Sequence, residues 1–246
     1  MKIFQKLLNI KKEKGAGYFV LIDPDSFSTE DVEKKVNKIC NSGVDMILVG
    51  GSLLMTNGYN EKIELIKKYS SIPMILFPGS TSQIRNEFDA VLFLSLISSR
   101  NPELIIGKQV ISAPILKAMN MEVISTAYML IESGKVTTAE FMSNSKPIPS
   151  NKSDIAVAHA IAAEMLGFKM IYLEAGSGAD NPVPDKMISM VKKQVNIPII
   201  VGGGITKPEI AKQKVIAGAD FIVTGNILEK EGNSHLMSKF ADSIHK

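Results

Sequence analysis

Cysteine is nearly absent from this chain of 246 residues: Cys40 stands alone, so no internal disulfide can form. Its helical spacing with Val36 and Ile39 marks it as a core thiol of a protein kept in a reducing compartment. Histidine is scarce too. His159 reads as a helix residue, and His235 and His245 lie toward the C-terminus, which disfavours a histidine base or a histidine metal site. No apolar run approaches the roughly 18 residues needed to cross a bilayer, and no signal-peptide core follows the start "MKIFQKLLNIKKEKG". A cytoplasmic protein is expected. The net charge of +3 is mild and the lysines are dispersed, so nucleic-acid binding has little support. Low-complexity segments and domain linkers are missing as well, and residues 1–246 read as a single domain. With 45% hydrophobic and 22% charged residues, the chain can bury a sizeable core, which excludes disorder as its main state.

What is present is an alternation. Eight short apolar runs recur with amphipathic segments between them: "YFVLID" (18–23), "MILVGG" (46–51), "PMILFPG" (73–79), "AVLFLSL" (90–96), "MEVISTAYMLI" (121–131), "MIYLEA" (170–175), "PIIVGGG" (198–204) and "FIVTGN" (221–226). That pattern argues for βα units around a parallel sheet. "STEDVEKKVNKICNSG" opens on an N-cap with acidic residues and closes on Gly43, and "KPEIAKQKVIAGAD" repeats the plan with Pro208 near its start and Gly218 past its end. Strands that are apolar on both faces need cover on both faces, and eight of them close most simply into a TIM (βα)8 barrel. A doubly wound open sheet is the alternative. The spacer "STSQIRNEFD" between the third and fourth strands is too short for a full helix and reads as a turn or loop. One long irregular stretch, residues 132–154, follows the fifth strand and is expected to hang over the barrel as a mobile lid.

In such a barrel the chemistry sits at the C-terminal ends of the strands. The first end supplies Asp23 and Asp25, the second Gly50, Gly51 and Ser52, the sixth Glu174 with a glycine turn, the seventh Gly202 to Gly204, and the eighth Gly225 and Asn226. Glycines after the seventh and eighth strands suit a phosphate, because backbone N–H groups must approach its oxygens with no Cβ in the way. Asp23 and Ser52, a carboxylate and a hydroxyl on adjacent strand ends, are hard oxygen ligands suited to Mg²⁺ that keeps waters and takes phosphate oxygens. Glu174, partly buried in a barrel mouth, is placed to accept a proton or hold a hydroxyl group. The competing reading is a structural acceptor for nearby backbone N–H groups. No lysine ends a strand, which disfavours a Schiff-base aldolase. Phe19, Phe93 and Tyr128 read as barrel filling.

The motifs "LIDPD", "VGGS", "LFPGS", "STAYMLIESG", "YLEAGSGA", "VGGGI" and "GADFIVTGN", in this order, resemble the geranylgeranylglyceryl and heptaprenylglyceryl phosphate synthases, in the larger group with archaeal and bacterial members. The resemblance implies a prenyltransferase joining an allylic prenyl diphosphate, geranylgeranyl diphosphate foremost, to the 3-hydroxyl of sn-glycerol 1-phosphate. Ether-lipid precursor and diphosphate are the products. It further implies that Asp23 and Ser52 hold Mg²⁺, that Tyr172, Leu173, Glu174, Ala175, Gly176, Ser177 and Gly178 line the glycerol phosphate, and that Gly203, Gly204, Gly225 and Asn226 bind its phosphate. Glu174 deprotonates the hydroxyl in that scheme. A homo-oligomer and a transient membrane contact at product release are also implied. Family members often carry a lysine directly after "DPD", where this chain has Ser26. The alternatives are a phosphosugar isomerase or synthase on the same barrel, and a catalytically silent phosphate-binding barrel.

Overall fold

The computed structural model describes residues 2–26, 28–55, 57–225 and 234–246. Eight parallel strands, β1 (Gly17–Ile22), β2 (Met46–Val49), β3 (Met74–Leu76), β4 (Ala90–Leu96), β5 (Glu122–Leu130), β6 (Met170–Glu174), β7 (Ile199–Gly202) and β8 (Phe221–Thr224), form a closed barrel in sequence order. Closure is made where Gly17 to Val20 of β1 pair with Phe221 to Thr224 of β8, which rules out the open sheet. The helices are α1 (Ile3–Lys14), α2 (Val32–Cys40), α3 (Tyr59–Tyr69), α4 (Lys108–Ala118), α5 (Thr138–Ser143), α6 (Ser153–Met165), α7 (Asp185–Lys192), α8 (Pro208–Ala217) and α9 (Ser234–Ile244). Between β3 and β4 there is only a single 3₁₀ turn, Thr81–Gln83, where the short spacer denied room for a helix.

Strand alternation sorts the apolar residues into two layers. Val20, Ile22, Ile47, Val49, Leu173 and Val201 face outward under the helices, while Phe19, Leu48, Leu92, Ile124, Tyr172 and Phe221 fill the barrel. Each fully buried aliphatic or aromatic side chain of this kind contributes roughly 1.5–3 kcal/mol. The filling is completed from below by α1, whose Leu7 and Ile10 pack against the interior cluster at the strand N-termini. Glu122, at the start of β5, fixes that plug by accepting the N–H groups of Ile3 at 2.6 Å and Phe4 at 3.0 Å, which answers the unpaired donors of a helix N-terminus. With the lower end closed, the upper end is left to bind ligands.

Two local expectations are revised. Ser28 does not cap α2; its hydroxyl donates to Asp31 at 3.0 Å, and a 3₁₀ turn, Thr29–Asp31, precedes the helix. The stretch 132–154 is not irregular. It pairs Ile131 with Ile148 as a β-bridge, carries α5 capped by the Thr137 hydroxyl, and begins α6. The segment does lie over the barrel mouth, as its position after β5 requires. At the other boundaries α8 starts at Pro208 and ends on Gly218 with φ 118°, as its sequence foretells.

Candidate active site

A cavity of about 530 Å³ opens at the C-terminal ends of the strands, and every strand or its immediate end contributes to its wall. Alternation decides who reaches it. On β6 the side chains of Tyr172 and Glu174 line the cavity, followed by Gly176, Ser177 and Gly178, whereas Leu173 and Ala175 turn outward into the helix-facing core. The side chains of Leu173 and Ala175 therefore do not line the substrate space, contrary to expectation, because odd and even residues of a strand face opposite sides. Tyr128 also departs from its expected role as filling and stands in the cavity wall, while Phe93 packs among the helices.

Glu174 is only 6% exposed. Burial raises its pKa from the ordinary 4.5 to about 6, with the Gly176 N–H and the neighbouring Tyr172 hydroxyl pulling the other way. One carboxylate oxygen, Oε1, accepts the Gly176 N–H at 2.6 Å. The structural role considered above is thus real, but it occupies one oxygen of two. The Tyr172 hydroxyl is turned to the Glu174 carboxylate and, among the described residues, has no other partner. Desolvation and the Glu174 charge together keep that phenol well above its usual pKa. Tyr172 also belongs to an aromatic trio, with Phe77 at 5.4 Å and Tyr128 at 5.3 Å between ring centroids.

Beside Glu174 stands the glycine turn after β7. Gly203 and Gly204 have φ of 82° and 68°, successive left-handed residues of the kind that turn backbone N–H groups toward an anion. At Gly203 the crowding adds to the conformational demand: a Cβ there would stand 2.6 Å from Glu174 Oε1 and 2.5 Å from the Gly176 nitrogen. The phosphate-side backbone and the carboxylate are therefore packed as one unit. Gly225, after β8, completes this side of the wall. Asn226, expected to bind the same phosphate, lies outside the described residues.

Next to β8 around the mouth, at the ends of β1 and β2, are Asp23, Ser26, Gly51 and Ser52. Asp23 has its pKa raised by burial, an effect opposed by the Asp25 N–H and by the charge of Lys62. Its Oδ1 accepts that N–H at 2.9 Å. Asp25 is otherwise engaged, because its carboxylate accepts the N–H of Met55 and so holds the chain beyond Ser52. Among the described residues no cluster of three histidine, cysteine or acidic side chains stands ready to enclose a metal. The donors present, one desolvated carboxylate and one hydroxyl facing a cavity, fit Mg²⁺ that keeps waters and takes phosphate oxygens. Ser26 closes the turn with its hydroxyl on the Asp23 carbonyl at 2.7 Å. The cations on hand are Lys62, buried with its Nζ on the Pro24 carbonyl at 2.6 Å, and Lys108 at the start of α4, in the cavity wall.

Sequence reading missed several contributors. Lys62 and Tyr59 look like the exposed face of a helix, and Gln83 like a solvated loop residue, yet all three are buried under the strand ends. Thr138, Ala139, Met142 and Ser143 of α5 reach over the cavity. Their approach was legible only as a long insertion after β5. The opposite end of the barrel shows what structural carboxylates look like here. Asp45 is held by Lys14, His245 and the Tyr18 N–H, and Asp220 by Lys11, Lys192 and the Ile199 N–H. Asp23 and Glu174 have no such ion pairs among the described residues and face the cavity instead.

A (βα)8-barrel enzyme acting on phosphorylated substrates is the class that this fold and mouth define. The PcrB family model matches residues 8–243, and the chain belongs to that family. It is 47% identical over 244 residues to the geranylgeranylglyceryl phosphate synthase of Chitinophaga pinensis, covering 99% of this chain and 96% of the relative. It is 44% identical to the enzyme of the same name from Pyrococcus furiosus, covering 98% and 96%. The crystal structure of (S)-3-O-geranylgeranylglyceryl phosphate synthase from Thermoplasma acidophilum, in complex with its substrate sn-glycerol-1-phosphate, superposes with a TM-score of 0.93 at 34% identity, covering 99% and 98%. The chain is accordingly a prenyltransferase of this type.

Proposed function

We propose that the chain transfers the prenyl group of an allylic diphosphate, geranylgeranyl diphosphate foremost, to the 3-hydroxyl of sn-glycerol 1-phosphate, with Mg²⁺ at Asp23 and Ser52. The observation that carries this is the placement of Glu174: a buried carboxylate packed against the Gly203 and Gly204 turn, in a cavity whose other wall is aromatic and aliphatic. Glycerol phosphate is the substrate in the solved relative, and the glycine ends of β7 and β8 offer this chain backbone N–H groups that can anchor a phosphate. Phe77, Leu94, Leu104 and Tyr128 supply the apolar wall that a prenyl tail needs.

In this reaction an O–C bond forms between the glycerol oxygen and the first prenyl carbon while the C–O bond to diphosphate breaks. Glu174 takes the hydroxyl proton. Its pKa near 6 leaves it mostly ionised at neutral pH yet basic enough to accept that proton. Holding the phosphate at β7 and β8 fixes the hydroxyl before reaction, so orientation is settled on binding. Phe77, Tyr128 and Tyr172, aromatic groups in the cavity wall, supply ring electrons that stabilise cationic character at the allylic carbon. Mg²⁺, when bound, neutralises charge building on the leaving diphosphate.

The same reading has the enzyme act in the cytoplasm as a homo-oligomer. Exposed Ile106, Val110, Ile111 and Ile115 along α4 and the turn before it support self-association. The test of function is product analysis with labelled sn-glycerol 1-phosphate, its enantiomer, and prenyl diphosphates of several lengths, with and without Mg²⁺. Labelled prenyl ether and released diphosphate are expected only with the sn-1 isomer and Mg²⁺. Isomerisation of a phosphosugar with no diphosphate release would favour the isomerase instead, and no turnover at all would favour the silent barrel.

A further inference from the structure

In place of the helix between β3 and β4 the chain has the turn Thr81–Gln83, and the last residue of that turn is only 1% exposed. Both ends of the Gln83 carboxamide are used. Its Nε2 donates to the Gly51 carbonyl at 2.8 Å, and its Oε1 accepts the Gly79 N–H at 2.9 Å. The Tyr59 hydroxyl of α3 donates to the Gln83 backbone carbonyl at 2.8 Å. One side chain therefore ties the loop after β2, which carries Ser52, to the loop after β3, which carries Phe77, Pro78 and Gly79 of the cavity wall.

The backbone there is packed tightly enough to need such a tie. At Gly50, with φ 156°, a Cβ would come within 1.9 Å of the Phe77 carbonyl oxygen; at Gly79 it would come within 2.2 Å of the Gly51 carbonyl oxygen. Two loops in such contact, with no helix behind the second, have their spacing set by the amide that bridges them. A carboxylate could not do the same, because it offers no donor to the Gly51 carbonyl.

Resting on the assignment of Ser52 and Asp23 to Mg²⁺, we infer that Gln83 is the positioning residue for the metal and diphosphate side of the site. It holds the β2 end, where Gly51 packs against the Asp23 carboxylate and Ser52 follows, and Tyr59 holds Gln83. The Gln83 amide bonds to the ends of β2 and β3, so the glycerol phosphate side, on β6 to β8, does not depend on it.

Binding of two probes by calorimetry tests the inference: inorganic diphosphate with Mg²⁺, and sn-glycerol 1-phosphate alone. In Gln83→Glu the acceptor for the Gly79 N–H is kept, but an oxygen faces the Gly51 carbonyl. The expected result is a loss of about tenfold or more in diphosphate affinity, the effect of one hydrogen bond turned repulsive, with glycerol phosphate affinity within about twofold of wild type. Tyr59→Phe is the milder variant, should the first not fold, and is expected to shift the same affinity in the same direction by less. A merely structural residue would weaken both ligands together. Equal loss of both affinities, or diphosphate binding unchanged in a folded variant, overturns the inference. A wild-type chain that binds no diphosphate with Mg²⁺ overturns the metal assignment and the inference together.

Discussion

Replacing Glu174 by glutamine separates a catalytic carboxylate from a structural one, and the two cases differ in sign. Burial lifts the carboxyl pKa from 4.5 to about 6 in the folded chain. A raised acid pKa means that the folded state binds the proton more tightly than the unfolded one, so ionisation of Glu174 costs stability. At pH well above 6 that cost is on the order of 2 kcal/mol. Glutamine carries no charge, and its carbonyl can still accept the Gly176 N–H that Oε1 accepts now. The variant is therefore expected to be as stable as wild type at pH 7 or more stable, by up to a few degrees in Tm for a chain of this size. The advantage shrinks as pH falls through 6, is small at 4.5, where the unfolded glutamate is half ionised, and is gone only well below that, where Glu174 is protonated in both states. Prenyl transfer, by contrast, is expected to fall by about 10²-fold or more, the usual scale for lost acid–base catalysis. Thermal unfolding at pH 7 and pH 4.5, with single-turnover rates at saturating substrates, measures both. A Glu174→Gln variant that unfolds more easily at pH 7 yet transfers prenyl groups at the wild-type rate would refute the reasoning.

In wild type, kcat/KM should fall as pH drops through about 6, because only the ionised Glu174 accepts the proton; the rate profile across that range shows it, and an acid limb unchanged in the glutamine variant would count against the assignment. Asp23→Asn should keep the fold and lose most activity at limiting Mg²⁺, since a neutral oxygen replaces a charged ligand; near wild-type turnover under those conditions would reject the metal site. Gly203→Ala should cost roughly 1–3 kcal/mol of stability and weaken glycerol phosphate binding, because the left-handed backbone is strained and the new methyl meets Glu174 Oε1. Urea unfolding and calorimetry read these two effects. Hydrogen exchange in residues 138–143 should slow when both substrates bind, since α5 borders the cavity; equal protection with and without them would deny it a closing role.

The alternation of apolar runs and amphipathic segments determined the barrel, because parallel strands buried on both faces have few other ways to be covered. The strand ends then located Asp23, Ser52, Glu174 and the glycines after β7, since a barrel of this kind exposes those ends alone to ligands. Even the missing helix before β4 could be read from a spacer too short to hold one. What the sequence could not determine was which residues face which way around the turns. Leu173 and Ala175 share a motif with Glu174 but point outward by strand parity that the motif spelling does not reveal. Gln83, Tyr59 and Lys62 look like solvated polar positions in a loop and on a helix, and become buried only because loops distant in sequence close over them. The pKa of Glu174 belongs to the same category. Its carboxylate is identical in any glutamate; desolvation by a barrel closed around it, partly offset by one backbone N–H at 2.6 Å, is a property of the tertiary structure alone.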